Sequence, residues 1–141
     1  MKILVLCTGN SCRSQMAEGF FKSFDSRLEV YSAGTIPAGQ VNPYAVKVMN
    51  EIGIDISAQT SDHVDQYIDQ PFDYVITVCD DANEKCPVFT GQVKHRLHIG
   101  FDDPADATGT NDEILPVYRR VRDEIKETFT KFFNEEILNQ L

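Results

Sequence analysis

Four short apolar stretches alternate with segments of helical periodicity along the chain. The stretches are rich in aliphatic and β-branched side chains and cover residues 2–6, 28–32, 72–78 and 95–99. Strands that alternate with helices pair side by side in a parallel sheet, because each helix returns the chain to the same end of the sheet. The pattern therefore predicts an α/β fold with four parallel strands.

Two helices are predicted between the first three strands. The first has a core stripe at positions i, i+3, i+4 and i+7 of one face, formed by Ala17, Phe20, Phe21 and Phe24. The second has signals at both ends, with Asn42 as N-cap before Pro43 and with Gly53 after its last turn. Both helices are expected to cover the sheet.

A long amphipathic helix is predicted at the end of the chain. Apolar residues recur there at steps of three and four, namely Tyr118, Val121, Ile125, Phe129 and Phe132. Thr110 and Glu113 have the spacing of a capping box, but Pro116 would then lie inside the helix, where its ring and its missing N–H are unfavourable. The helix therefore either kinks at Pro116 or begins nearer to it.

Length and charge limit the possible functions. A chain of 141 residues fits one domain. Its 22 acidic and 13 basic residues give a net charge of -9, which argues against nucleic acid or an anionic membrane as a partner. No apolar run is long enough to span a bilayer, and no secretory signal is present, so we expect a cytoplasmic protein. Four cysteines in such a protein favour catalysis or metal binding.

The most informative motif is the segment CTGNSCRS at residues 7–14, between the first predicted strand and helix. Backbone N–H groups of such a loop can point into one concavity, and the helix N-terminus adds its positive end. Arg13 offers a planar fork for two oxygens, and Gly9 and Asn10 tolerate left-handed backbone. The segment predicts a cradle for a tetrahedral oxyanion, formed by Thr8, Gly9, Asn10, Ser11, Cys12, Arg13 and Ser14.

Cys7 is the predicted nucleophile of this cradle. The loop amides, the helix N-terminus and Arg13 all favour its thiolate over its thiol. Ser14 can donate a hydrogen bond to that thiolate, and Asn10 can brace the loop through its side chain. Cys12 lies inside the loop and is most simply a small buried residue.

With these residues the sequence resembles the low-molecular-weight protein tyrosine phosphatases and the arsenate reductases that share their fold. Proteins of this kind carry a Cys-x5-Arg loop directly after the first strand, and the resemblance runs over nearly the whole chain. It implies a single domain over residues 1–141, arranged as a three-layer sandwich around a four-stranded parallel sheet.

The resemblance also implies a general acid. The family has an Asp-Pro dipeptide that protonates the leaving oxygen, and Asp103 and Pro104 match it. They follow the fourth predicted strand, so they leave the carboxyl edge of the sheet, where the residue 7–14 loop also lies. Asp103 is therefore the predicted acid.

Two further cysteines separate a reductase from a phosphatase. A phosphatase needs one cysteine, whereas the reduction of arsenate to arsenite takes two electrons, which two thiols supply by forming a disulfide. The Cys-x6-Cys segment from Cys79 to Cys86 looks like that of the thioredoxin-coupled arsenate reductases. The resemblance thus implies a relay through Cys7, Cys79 and Cys86 that detoxifies arsenate. The sequence leaves open whether thioredoxin or a glutathione-linked system closes the cycle.

Geometry adds a condition to this pairing. If residues 79–86 were helical, the seven-residue step would separate the two cysteines by ~10.5 Å along the axis. A disulfide tolerates a Cα separation of only about 4.4 to 6.8 Å. We therefore predict that residues 80–85 unwind or loop out when Cys79 and Cys86 pair.

Two alternatives compete with the reductase. A tyrosine phosphatase is the first, but Ala105 follows Asp103-Pro104 where those phosphatases have an aromatic residue, and Gln15 replaces their common proline. A structural zinc module is the second, but its short Cys-x2-Cys knuckles are absent.

The expected ligands are few. The family resemblance implies arsenate as substrate, thioredoxin as partner and no required cofactor, and we expect a monomer. It also implies a potassium ion near the cradle, because related arsenate reductases bind one. The matching oxygen-bearing residues are Asn10, Ser32, Thr60 and Asp62.

Overall fold

A computed structural model of the chain describes residues 1–80 and 86–141. Its strands are β1 (Lys2–Cys7), β2 (Glu29–Gly34), β3 (Phe72–Thr77) and β4 (Val93–His98). All four pair in parallel in the order β2-β1-β3-β4. The predicted α/β fold with a four-stranded parallel sheet is confirmed, with each strand within two residues of its expected position.

The helices are α1 (Arg13–Phe24), α2 (Pro43–Asn50) and α3 (Asn111–Phe132). The predicted stripe of α1 is confirmed, since Phe20 and Phe21 are buried and Phe24 packs against the core from its edge. The Phe21 ring lies 4.9 Å from that of Phe129 on α3, centroid to centroid. These aromatic contacts hold α1 and α3 side by side against the sheet.

Both predicted ends of the second helix are confirmed. The Asn42 side chain accepts a hydrogen bond of 2.8 Å from the Tyr44 amide, as an N-cap does. After the helix, the amides of Gly53 and Ile54 donate to the carbonyls of Asn50 and Met49, each at 3.1 Å. Gly53 has φ +82°, so this closing turn needs a residue without a side chain.

The capping box of α3 is present, and the expectation that the helix begins nearer Pro116 is wrong. Thr110 donates its amide to the Glu113 side chain, and the helix begins at Asn111. Pro116 is exposed, so water can bind the carbonyl that its ring leaves without a donor. Leu115 is buried and fixes this part of the helix to the core.

Two apolar clusters lie on opposite faces of the sheet, as a three-layer arrangement requires. Ile3 and Val5 of β1 face the cluster that holds the three helices, while Leu4 and Leu6 face the other cluster. The second cluster is completed by side chains outside α1, α2 and α3, including Phe72, Phe89 and Val64 of the short 3-10 helix Val64–Gln66. Because β1 is an inner strand in the order β2-β1-β3-β4, its carboxyl end lies in the middle of the sheet edge. No helix in the described part of the chain is long and apolar enough to cross a membrane.

Candidate active site

The loop after β1 is held in shape from outside. Three of its carbonyl groups accept hydrogen bonds from the chain that follows β2, with Ile36 donating to Thr8 at 3.0 Å, Ala38 to Gly9 at 2.8 Å and Asn42 to Ser11 at 2.9 Å. The Asn10 carbonyl accepts a bond from the Gln15 side chain at 3.0 Å. Since these carbonyls bond outward, the inside of the loop is left to amide groups. This is the arrangement of an anion cradle.

Asn10 makes the tight bend in this loop. Among the described residues it is the one non-glycine with a positive φ, at 47°. Its side-chain nitrogen donates to the hydroxyls of Ser14 at 2.8 Å and Ser32 at 2.9 Å, and its oxygen accepts from the Asp62 amide at 2.8 Å. These three bonds offset the strain of the left-handed backbone. Gly9, the other residue of this loop that tolerates left-handed backbone, does not have a positive φ.

Cys7 lies at the floor of the cradle and is 2% exposed. Its sulfur lies 2.9 Å from the Ser14 hydroxyl and accepts a hydrogen bond from the Asn10 amide at 3.2 Å. Donors placed on a sulfur stabilise negative charge there. The structure thus brings Cys7, Asn10 and Ser14 together as the sequence analysis expected of a nucleophile and its supports.

Arg13 connects the cradle to the loop after β4. It is the first residue of α1, is 3% exposed, and donates to the Phe101 carbonyl at 3.2 Å. Its guanidinium also lies 3.4 Å from the carboxylate of Asp103, which is 29% exposed. Asp103 in turn accepts a bond of 3.0 Å from the Ala105 amide, which fixes its position before Pro104. The predicted acid therefore lies beside the predicted anion ligand, with access to solvent.

Cys12 differs from Cys7 although both lie in the same loop. Its sulfur lies 3.8 Å from the Tyr118 hydroxyl and 3.5 Å from that of Ser11. Burial raises the pKa of the Cys12 thiol to about 11, because a thiolate there would lose its contact with water. Cys12 is thus protonated at neutral pH, which fits the expected small buried residue.

Cys79 and Cys86 form a disulfide with a Cα separation of 5.8 Å, within the range that such a bond tolerates. Cys79 is fully buried, whereas Cys86 is partly exposed. The Val78 amide donates a hydrogen bond of 2.9 Å to the Leu6 carbonyl. Cys79 and Cys7 come directly after these two residues, so they follow hydrogen-bonded positions at the ends of neighbouring strands. The predicted unwinding of residues 80–85 falls mainly on residues 81–85, which lie outside the described part of the chain, and it stays a prediction.

Three residues around the cradle were assigned no structural role from the sequence. Gln15 is buried and donates to the carbonyls of both Asn10 and Thr60, so it ties two loops together. Glu18 is buried and accepts a bond of 2.6 Å from the Ser32 hydroxyl. At Gly34, a Cβ would lie 2.3 Å from the Thr8 carbonyl oxygen, so the cradle fits only against a glycine.

The four oxygen-bearing residues of the expected potassium site also converge here. Asn10 bonds to Ser32 and to the Asp62 amide, and the Thr60 hydroxyl donates to the Asp62 carboxylate at 2.8 Å. Carbonyl, hydroxyl and carboxylate oxygens are the donors that hard cations prefer. Within residues 1–80 and 86–141, no group of three or more His, Cys, Asp and Glu side chains is arranged to hold a metal ion.

Comparison with known proteins identifies the family. The sequence model of the low molecular weight phosphotyrosine protein phosphatases matches residues 2–140. The chain belongs to this family. An arsenate reductase of Halalkalibacterium halodurans is 56% identical over 131 residues, which cover 92% of this chain and 93% of that protein.

Solved structures agree with this assignment. An arsenate reductase in the phosphate binding state aligns with a TM-score of 0.78 at 34% identity, covering 95% of this chain and 97% of that one. A low molecular weight protein tyrosine phosphatase from T. tengcongensis aligns with a TM-score of 0.72 at 25% identity, covering 96% and 99%. The resemblance to phosphatase-like arsenate reductases, predicted from the motifs, is confirmed.

Proposed function

We propose that this protein reduces arsenate to arsenite. The observation that carries the proposal is the disulfide between Cys79 and Cys86, at the same sheet edge as the Cys7 cradle. A phosphatase has no use for a redox-active pair at this position, whereas an arsenate reductase must store the two oxidising equivalents that it takes from arsenate. Relatives named arsenate reductase support the same conclusion.

The first step is a displacement at arsenic. The loop amides and Arg13 hold the arsenate oxygens, and the Cys7 thiolate attacks the arsenic atom. Asp103, 3.4 Å from Arg13, gives a proton to the oxygen that departs, which leaves as water. The product is an arsenate ester of the Cys7 sulfur.

The second and third steps move the oxidation outward. The Cys79 thiolate attacks the Cys7 sulfur, the sulfur–arsenic bond breaks, and its electron pair remains on arsenic, which leaves as arsenite. Cys86 then attacks Cys79 and releases the Cys7 thiolate. The disulfide seen in this structure, between Cys79 and Cys86, is the state that this relay produces.

A protein reductant fits the surface around Cys86. A cleft of about 610 Å³ is lined by Thr8, Thr35, Ile36, Cys86, Pro87 and Val88. Ile36 is 73% exposed and Val88 is 82% exposed, two of the three large apolar side chains exposed in the described part of the chain. Apolar surface around a disulfide suits contact with another protein better than contact with a charged tripeptide. This favours thioredoxin over glutathione.

The same scheme supports a cytoplasmic location and a monomeric protein. A catalytic cycle in which thioredoxin reduces the Cys79–Cys86 disulfide fits the cytoplasm, where thioredoxin keeps protein thiols reduced. Every residue named in the scheme comes from one chain, so a monomer is sufficient.

One assay compares the reductase with the phosphatase. Arsenate-dependent NADPH oxidation, measured with thioredoxin and thioredoxin reductase, is set beside hydrolysis of an aryl phosphate. We expect sustained oxidation and slow hydrolysis, because Ala105 supplies no aromatic wall beside Asp103 for a phenyl ring. Fast hydrolysis without arsenate turnover would make the protein a phosphatase, and turnover only with glutathione and glutaredoxin would replace thioredoxin.

Replacing Asp103 should slow the first step of arsenate reduction without preventing anion binding in the cradle. Asp103→Asn keeps the shape of the side chain but cannot donate a carboxylic proton, so the first step should slow by ~10²- to 10⁴-fold. Asp102→Asn is the matched control, since Asp102 is exposed and pairs with Arg120 at 3.2 Å. Single-turnover kinetics report the rate, and the rise in Tm with phosphate reports binding. Equal rates for the two variants would remove Asp103 from the mechanism.

We further propose that potassium binds beside the cradle. Asn10, Ser32, Thr60 and Asp62 would supply its oxygen ligands, and the ion would add charge stabilisation next to the strained backbone of Asn10. It supplies no chemistry of its own to the reaction.

Potassium should therefore raise thermal stability. A potassium concentration ten times the dissociation constant adds about 1.4 kcal/mol to the free energy of unfolding. This corresponds to a rise of roughly 3–6 °C in Tm for a chain of this size. Differential scanning calorimetry in potassium chloride against choline chloride, at equal ionic strength, measures the shift. Asp62→Asn should lose it, while Asp65→Asn, at a carboxylate that is 75% exposed, should keep it. A shift that survives in Asp62→Asn would place the ion elsewhere.

A further inference from the structure

His98 contacts the redox-active disulfide and has no part in the steps described above. It is the last residue of β4 and pairs in register with Thr77 of β3. Its Nδ1 atom lies 2.7 Å from the Thr77 hydroxyl and 3.9 Å from the Cys86 sulfur. An imidazole is thus held against the one sulfur of the disulfide that is partly exposed.

The third step of the relay needs a base at this place. Only a thiolate attacks a disulfide, and an ordinary cysteine with a pKa near 8.5 is ~3% thiolate at pH 7. The donors that support a thiolate at Cys7 belong to the cradle, and Cys86 lies outside it, seven residues after Cys79. Histidine is the side chain whose ordinary titration falls in the neutral range.

We propose that His98 accepts the thiol proton of Cys86 when the Cys79–Cys86 disulfide forms. The proton passes from the Cys86 sulfur to Nδ1, the thiolate attacks Cys79, and Cys7 leaves as a thiolate. When the reductant later breaks the disulfide, the imidazolium returns the proton to Cys86. The inference rests on the proposed arsenate reduction, because it concerns one step of that relay.

Thr77 can stabilise both forms of the imidazole. Its hydroxyl can donate to neutral Nδ1 or, once Nδ1 carries a proton, accept from it while donating to the Leu97 carbonyl at 3.4 Å. The titratable and charged side chains at or after the carboxyl ends of β3 and β4 include Asp80, Cys86, Arg96, Asp102 and Asp103. Arg96 bonds to the carbonyls of Phe89 and Gly91, and the last two aspartates pair with Arg120 and Arg13.

The test is the rate of Cys79–Cys86 disulfide formation after arsenate is mixed with fully reduced protein. Samples are quenched by thiol alkylation and analysed by peptide mapping. His98→Asn keeps a hydrogen-bonding nitrogen near the position of Nδ1 but does not titrate. It should form the disulfide ~10- to 30-fold more slowly at pH 7, and within about twofold of the wild-type rate at pH 9, where most of an ordinary thiol ionises unaided.

His95→Asn is the matched control. His95 lies on the same strand and stacks on Tyr74, with ring centroids 4.8 Å apart. It should form the disulfide at the wild-type rate at both pH values. His98→Gln, a second variant, should repeat the pattern of His98→Asn, which guards against a local folding defect in either one.

The outcomes separate this inference from the proposed function. Wild-type rates in both His98 variants at pH 7, or a loss of equal size at pH 7 and pH 9, would overturn the role of His98 as a base. Wild-type protein that forms no Cys79–Cys86 disulfide with arsenate at any pH would instead overturn the relay itself. Formation of the earlier Cys7–Cys79 disulfide at an unchanged rate in His98→Asn supports the assignment to the third step.

Discussion

Cys7→Ser abolishes both arsenate reduction and aryl phosphate hydrolysis, because both reactions begin with the same nucleophile. The sulfur of Cys7 is buried at the floor of the cradle, with the Asn10 amide and the Ser14 hydroxyl as its neighbours. A serine hydroxyl at this position stays protonated at neutral pH and attacks far more slowly than a thiolate. The expected loss is on the order of 10⁴-fold or more in either assay.

Anion binding by the same variant is the control. The cradle is built from backbone amides and Arg13, so phosphate or arsenate should still raise the Tm of Cys7→Ser. A protein that binds the anion but does not react with it would show that the fold is intact. Arsenate reduction at the wild-type rate would contradict the proposed nucleophile.

Cys79→Ser and Cys86→Ser should each lose sustained arsenate reduction but keep aryl phosphate hydrolysis. Only the redox steps use these thiols, whereas hydrolysis of a phosphocysteine needs water. The two variants should also stop at different points of a single turnover. Cys86→Ser should release one equivalent of arsenite and accumulate a Cys7–Cys79 disulfide, while Cys79→Ser should release none.

Arsenite release and peptide mapping after one turnover measure this difference. Hydrolysis of an aryl phosphate at the wild-type rate is the internal control for a correctly folded cradle in both variants. If both variants reduce arsenate at the wild-type rate with thioredoxin, the disulfide relay through Cys79 and Cys86 is wrong. If both stop at the same point, the order of the two thiols is wrong.

Local signals in the sequence predicted the scaffold well. Strands, caps and the stripe of α1 depend on side chains a few positions apart, and such patterns lie within one segment of chain. The capping box of Thr110 and Glu113 sets the start of α3 although Pro116 lies inside the helix. An exposed proline near a helix start costs little stability, because water can bind the carbonyl that its ring leaves without a donor.

Contacts between distant segments could not be predicted in the same way. Gln15 and Thr60 are 45 positions apart, and Thr8 meets Gly34 through a backbone contact that no periodic pattern records. No motif in the sequence distinguishes His98 from other strand residues. Its position beside Cys86 depends on the pairing of β4 with β3, in which His98 lies opposite Thr77. The sequence named the groups that react, while the groups that hold them came from the packing of loops at the sheet edge.

The outward hydrogen bonds of the cradle have a consequence for inhibitor design. The carbonyls of Thr8, Gly9 and Ser11 are held by the chain between Gly34 and Asn42, on the side away from the anion. A compound that binds between residues 34–42 and the loop, and hydrogen-bonds to those carbonyls in place of the chain, would disrupt the anion pocket without entering it. Such a compound need carry no negative charge, and high concentrations of phosphate or arsenate would not displace it directly.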